Sequence, residues 1–475
     1  PAADRRHRRA HRDPPPDAMS ATAVIDIGKT NAKLALVEAG TLREIAVVTR
    51  PNTVLAGPPW PHFDLDGHWL FFLHHLGAFH RAHGIDAISV TTHGASMVLL
   101  DRRGTLAAPM LDYEHTGPDE LADSYDVLRP PFSETGSARL PVGLNLGAQL
   151  HWLFNTDPEL FGRTAHMLTY PQYWGYRLTG QRATDVTSLG CHTDLWNPWA
   201  GHFSSLVERL GMTDKIAPAR RSNEVLGTLL AQVAVATGLP QNTPVVCGIH
   251  DSNASLYPYL LGRRSPFAVV STGTWVVAMA VGGASLSLDP ARDVLVNVNA
   301  LGQPVPSARF MGGREYEIVR AGAEVIPTDA DRNAVLAEGI ALLPAIEPGS
   351  GPFQGRVMRW LGRDASLGER MVALSRYLAM MTDTCLTLTG AAGPVIVEGP
   401  FARSPDFLSM LAALRPDGVE TATSATGTSV GAALLCMTSA AAPQTHVVPP
   451  PLDAANLVAH AAEWRRTLAE QMDEL

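Results

Sequence analysis

One strand–turn–strand unit near the start of the chain limits the folds that are open to it. The sequence VIDIGKTNAK at residues 24–33 runs into LALVE, and apolar residues alternate on both sides of a short turn, as in half-buried strands. A glycine beside hydroxyl side chains exposes consecutive backbone N–H groups, which cradle anions such as phosphate. The alternative interpretation is a simple hairpin bend in which Gly28 supplies a positive φ.

A second unit of the same kind follows about 240 residues later. In PFAVVSTGTWVVAMAVGG, the turn STGTW at residues 271–275 again joins two apolar strands. Two such turns, with a carboxylate in the strand before the first, favour a nucleotide site formed by two similar domains that face each other. Two unrelated hairpins are the alternative. The Walker A pattern and the Rossmann glycine pattern are both absent from the sequence.

Length and patterning indicate an α/β protein of two domains. A chain of 475 residues is too long for one compact core, and strands and amphipathic helices occur in both halves. We expect a disordered leader or cloning remnant at residues 1–18 and an N-terminal domain at 19–245. We also expect a C-terminal nucleotide-binding domain at 246–445 and a C-terminal helix within 446–475 that packs on the body.

Composition argues against several classes of function. A net charge of −9 gives no electrostatic footprint for nucleic acid. The most apolar window is interrupted by glycines and hydroxyl residues, so no membrane span is predicted. Four cysteines without CxxC spacing are too few for a disulfide framework, and a reducing cytoplasm is the simplest compartment.

Lysine is concentrated in the first turn. The chain holds three lysines, Lys29, Lys33 and Lys215, and two of them lie in the stretch quoted above. Lysine supplies a compact point charge beside phosphate more easily than the bulkier arginine does. We therefore expect the lysines of the first turn to lie near phosphate, with chance clustering as the alternative.

Two aspartates occupy positions where a carboxylate can do chemistry. Asp26 ends a strand beside the first turn, where it would hold Mg²⁺ through water; the alternative is an aspartate that bonds its own turn. Asp251 follows the strand PVVCGIH and precedes a helix. It is either the helix N-cap, with Ser252 as the rival, or a base that takes a proton from a substrate hydroxyl. Both carboxylates are candidates for contact with the metal.

Five short motifs in order give the chain a family resemblance. DIGKTNAK, THG at 92–94, GIHDSNA at 248–254, STGTW at 271–275, and EGPFARSP with GTSVGAA resemble the FGGY carbohydrate kinases. The resemblance runs from about residue 22 to about residue 440. It implies an actin- and hexokinase-like (ribonuclease H-like) fold with a cleft between two lobes. It also implies phosphoryl transfer from ATP, with Mg²⁺, to a sugar.

The resemblance assigns roles to the positions that match the family's motifs. It implies that Asp251 is the catalytic base, that Asp26 helps to bind Mg²⁺, and that His93 and Gly94 lie in the sugar-binding loop. Further sugar candidates are Tyr113, His192, Trp275 and Arg314; the alternatives for the last three are a satisfied polar residue, a core residue and a surface turn residue. The implied nucleotide site consists of Gly28, Lys29, Thr30, Asn31, Ser271, Thr272, Gly273, Thr274, Glu398, Gly399, Pro400, Arg403 and Gly427.

The sequence leaves the identity of the sugar open. The aromatic-x-Asp-x-Arg segment of xylulose-type members is replaced by residues 113–117, YEHTG, and the usual Gly-Gly of the adenosine motif is Gly399-Pro400. THGAS and HDSNAS resemble more closely the L-fuculose and L-rhamnulose kinase branch, whose substrates are 6-deoxy-ketohexoses. The alternatives are a pentulose or polyol kinase, acting on L-ribulose or D-xylulose, and an actin-like ATPase without a sugar substrate. A homodimer is an open expectation, because family members are often dimers.

Overall fold

Two seven-stranded sheets organise the computed structural model, which describes residues 21–422, 427–437 and 443–473. Residues 1–18, predicted as a leader, lie outside the described residues. The strands of the first sheet, β1 to β7 in chain order, are Ala21–Ile27, Asn31–Glu38, Glu44–Pro51, Ala87–Thr92, Val225–Thr228, Pro244–Val246 and Ile249–His250. Those of the second, β8 to β14, are Phe267–Thr272, Val276–Val281, Val294–Val298, Pro304–Phe310, Val395–Glu398, Val419–Ala422 and Thr445–Val448.

Helices and short two-stranded ladders surround these sheets. The described α-helices, α1 to α16 in chain order, are Leu65–His83, Ala122–Leu128, Phe132–Thr135, Leu146–Thr156, Pro158–Arg163, Tyr170–Thr179, Val186–Leu189, Ser205–Arg209, Ala231–Thr237, Asp251–Gly262, Gly312–Arg320, Asp329–Ala337, Leu367–Leu388, Pro405–Leu414, Thr428–Leu434 and Ala454–Asp473. The short ladders pair Val54–Leu55 with His62–Phe63, Met97–Leu100 with His166–Thr169, Thr184–Asp185 with Ala219–Arg220, Trp196–Asn197 with His202–Phe203, and Ala341–Leu343 with Arg359–Leu361.

The two sheets share one strand plan. The first has the order β5-β6-β4-β1-β2-β3, with β7 also paired to β4; the second has the order β10-β11-β9-β8-β12-β13-β14. In each, a hairpin strand is antiparallel to its partner and parallel to a later strand: β1 lies between β2 and β4, and β8 lies between β9 and β12. This repeat confirms the predicted two-lobed α/β fold.

The two predicted turns are hairpins of nearly the same length. β1 and β2 pair up to Ile27 opposite Ala32, and β8 and β9 pair up to Thr272 opposite Val276. The N–H of Gly28 donates to the carbonyl of Asn31 at 2.9 Å, and that of Gly273 donates to the carbonyl of Trp275 at the same distance. Neither glycine has a positive φ. The bend alone therefore does not require glycine, which corrects the simple-bend interpretation of Gly28.

Two helices, α10 and α15, join the lobes between the sheets. Their apolar faces share one buried cluster with the first sheet, whose members include Val24 and Ile249 of the sheet, Ala254 of α10 and Leu434 of α15. The backbones approach closely where the helices cross, because a Cβ added to Gly431 would lie 1.8 Å from the carbonyl oxygen of Ala254. The α10–α15 pair is therefore the packed connection between the two halves.

The sheet boundaries differ slightly from the predicted domain limits. The strand Ile249–His250 pairs with β4, so the first sheet continues past residue 245. Residues Thr445–Val448 form the edge of the second sheet, and helix α16 inserts Trp464 into the core of the second lobe, where its indole N–H donates to the carbonyl of Leu342 at 2.8 Å. Among the described residues, no helix is both long and apolar enough to cross a bilayer.

Candidate active site

A cavity of about 380 Å³ lies between the lobes. Asp251, the first residue of α10, opens onto it with a side chain that is 31% exposed. Its Oδ1 accepts a hydrogen bond from the backbone N–H of Ser252 at 2.6 Å. The carboxylate thus lies at the N-terminal end of α10 and faces the cavity. The other lining residues used below are Cys191, His192, His250, Ser271, Asn297, Arg309, Glu398 and Thr428.

Two residues beside Asp251, Cys191 and His250, were missed by the sequence analysis. The Nε2 atom of His250 lies 3.1 Å from Oδ1 of Asp251 and 3.7 Å from Sγ of Cys191. Burial disfavours the imidazolium, but the Cys191 and Asp251 side chains outweigh it and raise the pKa of His250 to about 10. Burial also opposes the Cys191 thiolate, yet His192 and His250 lower the pKa of that thiol to about 5. The His-Asp dipeptide in GIHDSNA was the available signal for His250.

The loop predicted to bind sugar places His93 among aromatic rings. Its ring centroid lies 5.1 Å from those of Phe63, Tyr113 and Tyr170. Burial lowers the pKa of His93 to about 4, although the Asp251 carboxylate opposes this shift. Nδ1 lies 2.9 Å from the carbonyl oxygen of Gly94, while Nε2 is buried and has no partner among the described residues. A neutral ring that donates from Nδ1 leaves Nε2 as a free acceptor for a ligand hydroxyl.

Tyr113 and Gly94 complete this side of the cleft. Burial raises the pKa of Tyr113, and the carboxylates of Glu114 and Asp251 add to the shift. A Cβ added to Gly94 would lie 2.9 Å from Nε2 of His250. The glycine thus allows the predicted sugar loop to approach the residue beside the predicted base.

The side chain of Lys29 is not directed at an open phosphate site, which corrects our expectation. Its ammonium forms an ion pair with Asp112 and a second one with Glu114 at 3.1 Å. It also lies 4.6 Å from the ring centroid of Tyr113. The side chains of the next two turn residues, Thr30 and Asn31, are exposed and hydrogen-bonded to each other at 3.2 Å. The first hairpin is therefore tied through its lysine to the segment that carries Asp112 and Tyr113.

Asp26 connects the first lobe to the second. Its Oδ2 accepts from the hydroxyl of Ser429, near the start of α15, at 2.9 Å and lies 3.1 Å from the ammonium of Lys33. Gly427 is the N-cap residue of the same helix, and Thr428 lines the interlobe cavity. Among the described residues, no group of three or more His, Cys, Asp or Glu is arranged to hold a metal ion by itself.

A second cavity, of about 790 Å³, lies within the second lobe. Four residues of the predicted nucleotide site line it: Gly273, Thr274, Pro400 and Arg403. Its apolar walls include Val325, Ile326, Met371, Leu378 and Phe401. The same cavity also has polar and charged lining residues, among them Thr274, Arg314, Arg403 and Asp406.

The second hairpin is fixed to the strand that follows it in the sheet. The hydroxyl of Thr272 donates to the carbonyl of Glu398 and accepts from the N–H of Phe401 at 3.1 Å. Gly399 has a φ of 84°, and a Cβ there would lie 1.9 Å from the carbonyl oxygen of Thr272. The first glycine of the adenosine motif is thus required, and Pro400 replaces the second without loss of this contact.

Three predicted residues lie elsewhere than expected. Arg314, a sugar candidate, lines the second cavity and is paired with Glu347 at 2.7 Å, because helix α11 begins beside the second hairpin. Glu398, assigned to the adenosine site, lines the interlobe cavity instead, since it ends β12 level with Ser271. The ring of Trp275 is covered by Arg309 at 4.7 Å. His192 does line the interlobe cavity, with Nδ1 2.6 Å from the carbonyl oxygen of Leu144.

Two lobes with one strand plan, separated by a cleft with a carboxylate at a helix start, define the actin- and hexokinase-like class. The model of the FGGY family of carbohydrate kinases, N-terminal domain, matches residues 21–257, and that of carbohydrate kinase FGGY, C-terminal domain, matches residues 264–445. The chain belongs to the FGGY family of carbohydrate kinases.

Three relatives show how far the similarity extends. A crystal structure of a carbohydrate kinase from Novosphingobium aromaticivorans is 37% identical, with a TM-score of 0.88, over 94% of this chain and 99% of that one. L-fuculokinase from Escherichia coli (strain K12) is 26% identical over 54% of this chain and 55% of its own length. Rhamnulokinase from Bacillus subtilis (strain 168) is 27% identical over 44% of this chain and 45% of its own length. The chain thus aligns with about half the length of these two curated relatives.

Proposed function

We propose that the protein transfers the γ-phosphoryl group of ATP to a hydroxyl of a ketose sugar, with Asp251 as the base. One observation carries the proposal: the second hairpin borders both cavities. Ser271 lines the interlobe cavity with Asp251, whereas Gly273 and Thr274 line the second cavity. A nucleotide with its base in the second cavity would direct its phosphates past this hairpin toward Asp251.

The chemistry follows from the groups around Asp251. As the sugar oxygen attacks the γ-phosphorus, its proton passes to the Asp251 carboxylate, the P–O bond to the β-phosphate breaks, and ADP leaves. The His250 ring, 3.1 Å from Oδ1, holds that carboxylate in place. Backbone N–H groups of the two hairpins and the hydroxyls of Ser271 and Thr274 are the donors available to phosphate oxygens. Closure of the lobes over the substrates would exclude water, which would otherwise accept the phosphoryl group.

Mg²⁺ would enter this site with the nucleotide. Asp26 is the residue of the first lobe that would hold the ion, and because its Oδ2 already contacts Ser429 and Lys33, the contact would run through water. When bound, the ion neutralises charge on the phosphates.

For the acceptor we propose a 6-deoxy-ketohexose such as L-fuculose or L-rhamnulose, phosphorylated at the 1-position. The similarity to an L-fuculokinase and a rhamnulokinase supports this class. The interlobe cavity also has an apolar side, formed by Val277, Met279 and Leu295, that would suit a methyl group. The free Nε2 of His93 would accept from a sugar hydroxyl. Pentuloses such as L-ribulose and D-xylulose are the alternative acceptors.

The Asp251→Asn variant tests the base. Loss of a general base should lower kcat by about 10³-fold, because asparagine keeps the shape but takes no proton. The affinity for a non-hydrolysable ATP analogue, measured by calorimetry, should stay within twofold of that of the native protein. Near-normal turnover would reject Asp251 as the base.

ADP release, measured with L-fuculose, L-rhamnulose, L-ribulose and D-xylulose in turn, identifies the acceptor. A rate of ADP release that none of the sugars changes would reject the proposed kinase activity.

A further inference from the structure

A third cavity, of about 530 Å³, lies between helices α13, α14 and α16 of the second lobe. It shares no lining residue with the interlobe cavity or with the second cavity. None of the site residues assigned above line it. Its use is therefore independent of the proposed kinase reaction.

Positive charge is concentrated in this cavity. Three arginines, Arg292, Arg415 and Arg465, line it together with one aspartate, Asp383. The lining therefore carries a net charge of +2, in a chain whose net charge is −9. A basic recess on an acidic protein attracts small anions and little else, because larger acidic partners are repelled by the surrounding surface.

Two of these arginines share one carboxylate, and Arg415 also donates from Nη2 to the carbonyl of Asp383 at 2.6 Å and to the hydroxyl of Thr387 at 2.9 Å. Asp383 is shared: Nε of Arg415 lies 2.7 Å from Oδ1, and Nη2 of Arg465 lies 2.6 Å from Oδ2. Arg465 remains 47% exposed on the side chain. Arg292 stacks on the ring of Phe353, with 5.5 Å between the guanidinium carbon and the centroid, and donates from Nε to the carbonyl of Pro352 at 3.3 Å. Its two Nη groups bond to none of the described residues.

The rest of the cavity is apolar. Phe353, Leu388, Leu414, Trp464 and Leu468 supply hydrophobic surface beside the guanidinium groups. A ligand that fits both parts has an anionic end and an apolar body. Planar guanidinium forks recognise phosphate and carboxylate by paired hydrogen bonds, and a net charge of +2 matches the dianion of a phosphate monoester.

We propose that this cavity binds a small phosphate monoester with an apolar body, whose phosphate is held by Arg292 and Arg465.

Two helices, α13 and α14, contribute residues both to this third cavity and to the second cavity. Met371 and Leu378 of α13 line the second cavity, while Asp383 and Thr387 of the same helix line the third. Helix α14 likewise contributes Phe407 to one and Leu414 to the other.

Phenyl phosphate, which has a dianion and an aromatic ring, is the probe for this site. Calorimetric titration of the full chain, saturated with a non-hydrolysable ATP analogue, should show one saturable binding event. Phenol, which lacks the anion, and inorganic phosphate, which lacks the ring, should each bind at least about tenfold more weakly, since either loses one of the two contacts.

Two variants of lining arginines and one matched control test whether phenyl phosphate binds in the third cavity. Arg465→Gln and Arg292→Gln should each weaken phenyl phosphate binding about tenfold or more, because each removes a charge-assisted contact. Asp383 keeps Arg415 as its partner in Arg465→Gln. Arg466→Gln removes the same charge one residue along, where Arg466 pairs with Glu463 and Glu470 outside the cavity, and should change affinity less than twofold. Thermal unfolding confirms that each variant is folded.

Three results would overturn the proposal. They are the absence of saturable binding, loss of binding when the ATP analogue is present, and equal affinities for native protein and both cavity variants. None of these results bears on Asp251, so the site and the proposed kinase reaction fail separately.

Discussion

The hairpins of the two lobes have nearly the same backbone but different neighbours. The first is held by a side chain, since Lys29 pairs with Asp112, which precedes Tyr113 in the chain. The second is held by its backbone-facing threonine, since Thr272 bonds the main chain of Glu398 and Phe401. Only the second contributes residues to the nucleotide-sized cavity. One structural unit thus serves two roles, according to the loop that packs against it.

The groups buried behind the hairpins also differ in charge. The first is backed by the Lys29–Asp112 ion pair. Behind the second, helix α11 approaches so closely that a Cβ added to Gly313 would lie 2.0 Å from the carbonyl oxygen of Gly273. The same helix buries Glu315, whose Oε2 accepts from the hydroxyl of Tyr377 at 3.0 Å. An ion pair therefore lies behind the first hairpin, and a buried acid whose pKa is raised lies behind the second.

Matched glycine variants give the largest expected contrast. A Cβ at Gly273 or at Gly28 has its nearest neighbour at 3.9 Å or 3.8 Å, so the first side-chain carbon meets only ordinary van der Waals contact at both positions. Because Gly273 lines the second cavity, which we propose to hold the nucleoside, and Gly28 does not line it, Gly273→Val should weaken binding of an ATP analogue about 100-fold, or about 2.7 kcal/mol. Gly28→Val, which keeps the backbone N–H groups of the first hairpin, should change that affinity less than about threefold. Equal losses in the two variants, measured by calorimetry, would show that the hairpins contribute alike.

The buried acid behind the second hairpin should make stability depend on pH. Burial raises the pKa of Glu315 to about 7, against bonds from Glu347 and Tyr377 that lower it. A raised pKa favours the folded state at low pH, and that contribution is lost as the pH rises through 7. The native protein should therefore lose about 2 kcal/mol more stability than Glu315→Gln between about pH 5.5 and 8. Denaturant unfolding at both pH values measures this, and parallel curves for the two proteins would refute it.

The smallest of the three effects concerns the first hairpin. Lys29→Met leaves Asp112 buried without its cation and releases the loop that carries Tyr113. We expect a rise of about tenfold in KM for the sugar, about 1.4 kcal/mol, with nucleotide affinity unchanged. Lys215→Met is the control, because Lys215 bonds the carbonyl of Thr164 away from both hairpins. A loss of nucleotide affinity at constant KM would restore the original expectation of a phosphate-binding lysine.

Local chemistry made the hairpins and the helix start at Asp251 predictable. Alternating apolar residues around Gly28 and Gly273 specify strand, turn and strand without information from distant residues. The strand before Asp251 ends where the helix begins, and the structure places that aspartate at the first residue of α10. The order of the five motifs, through their resemblance to the FGGY carbohydrate kinases, then predicted the two-lobed fold.

Contacts between residues distant in sequence were not predictable in this way. The partner of Lys29 lies 83 residues away, and that of Asp26 lies 403 residues away. Arg314 lies in helix α11, which follows strand β11. The place of β11 beside β9 in the second sheet determines which cavity α11 borders. Cys191 becomes a neighbour of His250 only when α7 packs beside β7. Each depends on sheet order and helix packing, which a single sequence does not specify.

The contact between Gly431 and Ala254 sets how the molecule can move. Where two helices meet backbone to backbone, there is no layer of side chains that could repack and let one slide along the other. Any side chain larger than glycine at position 431 would consequently push α10 and α15 apart at this crossing.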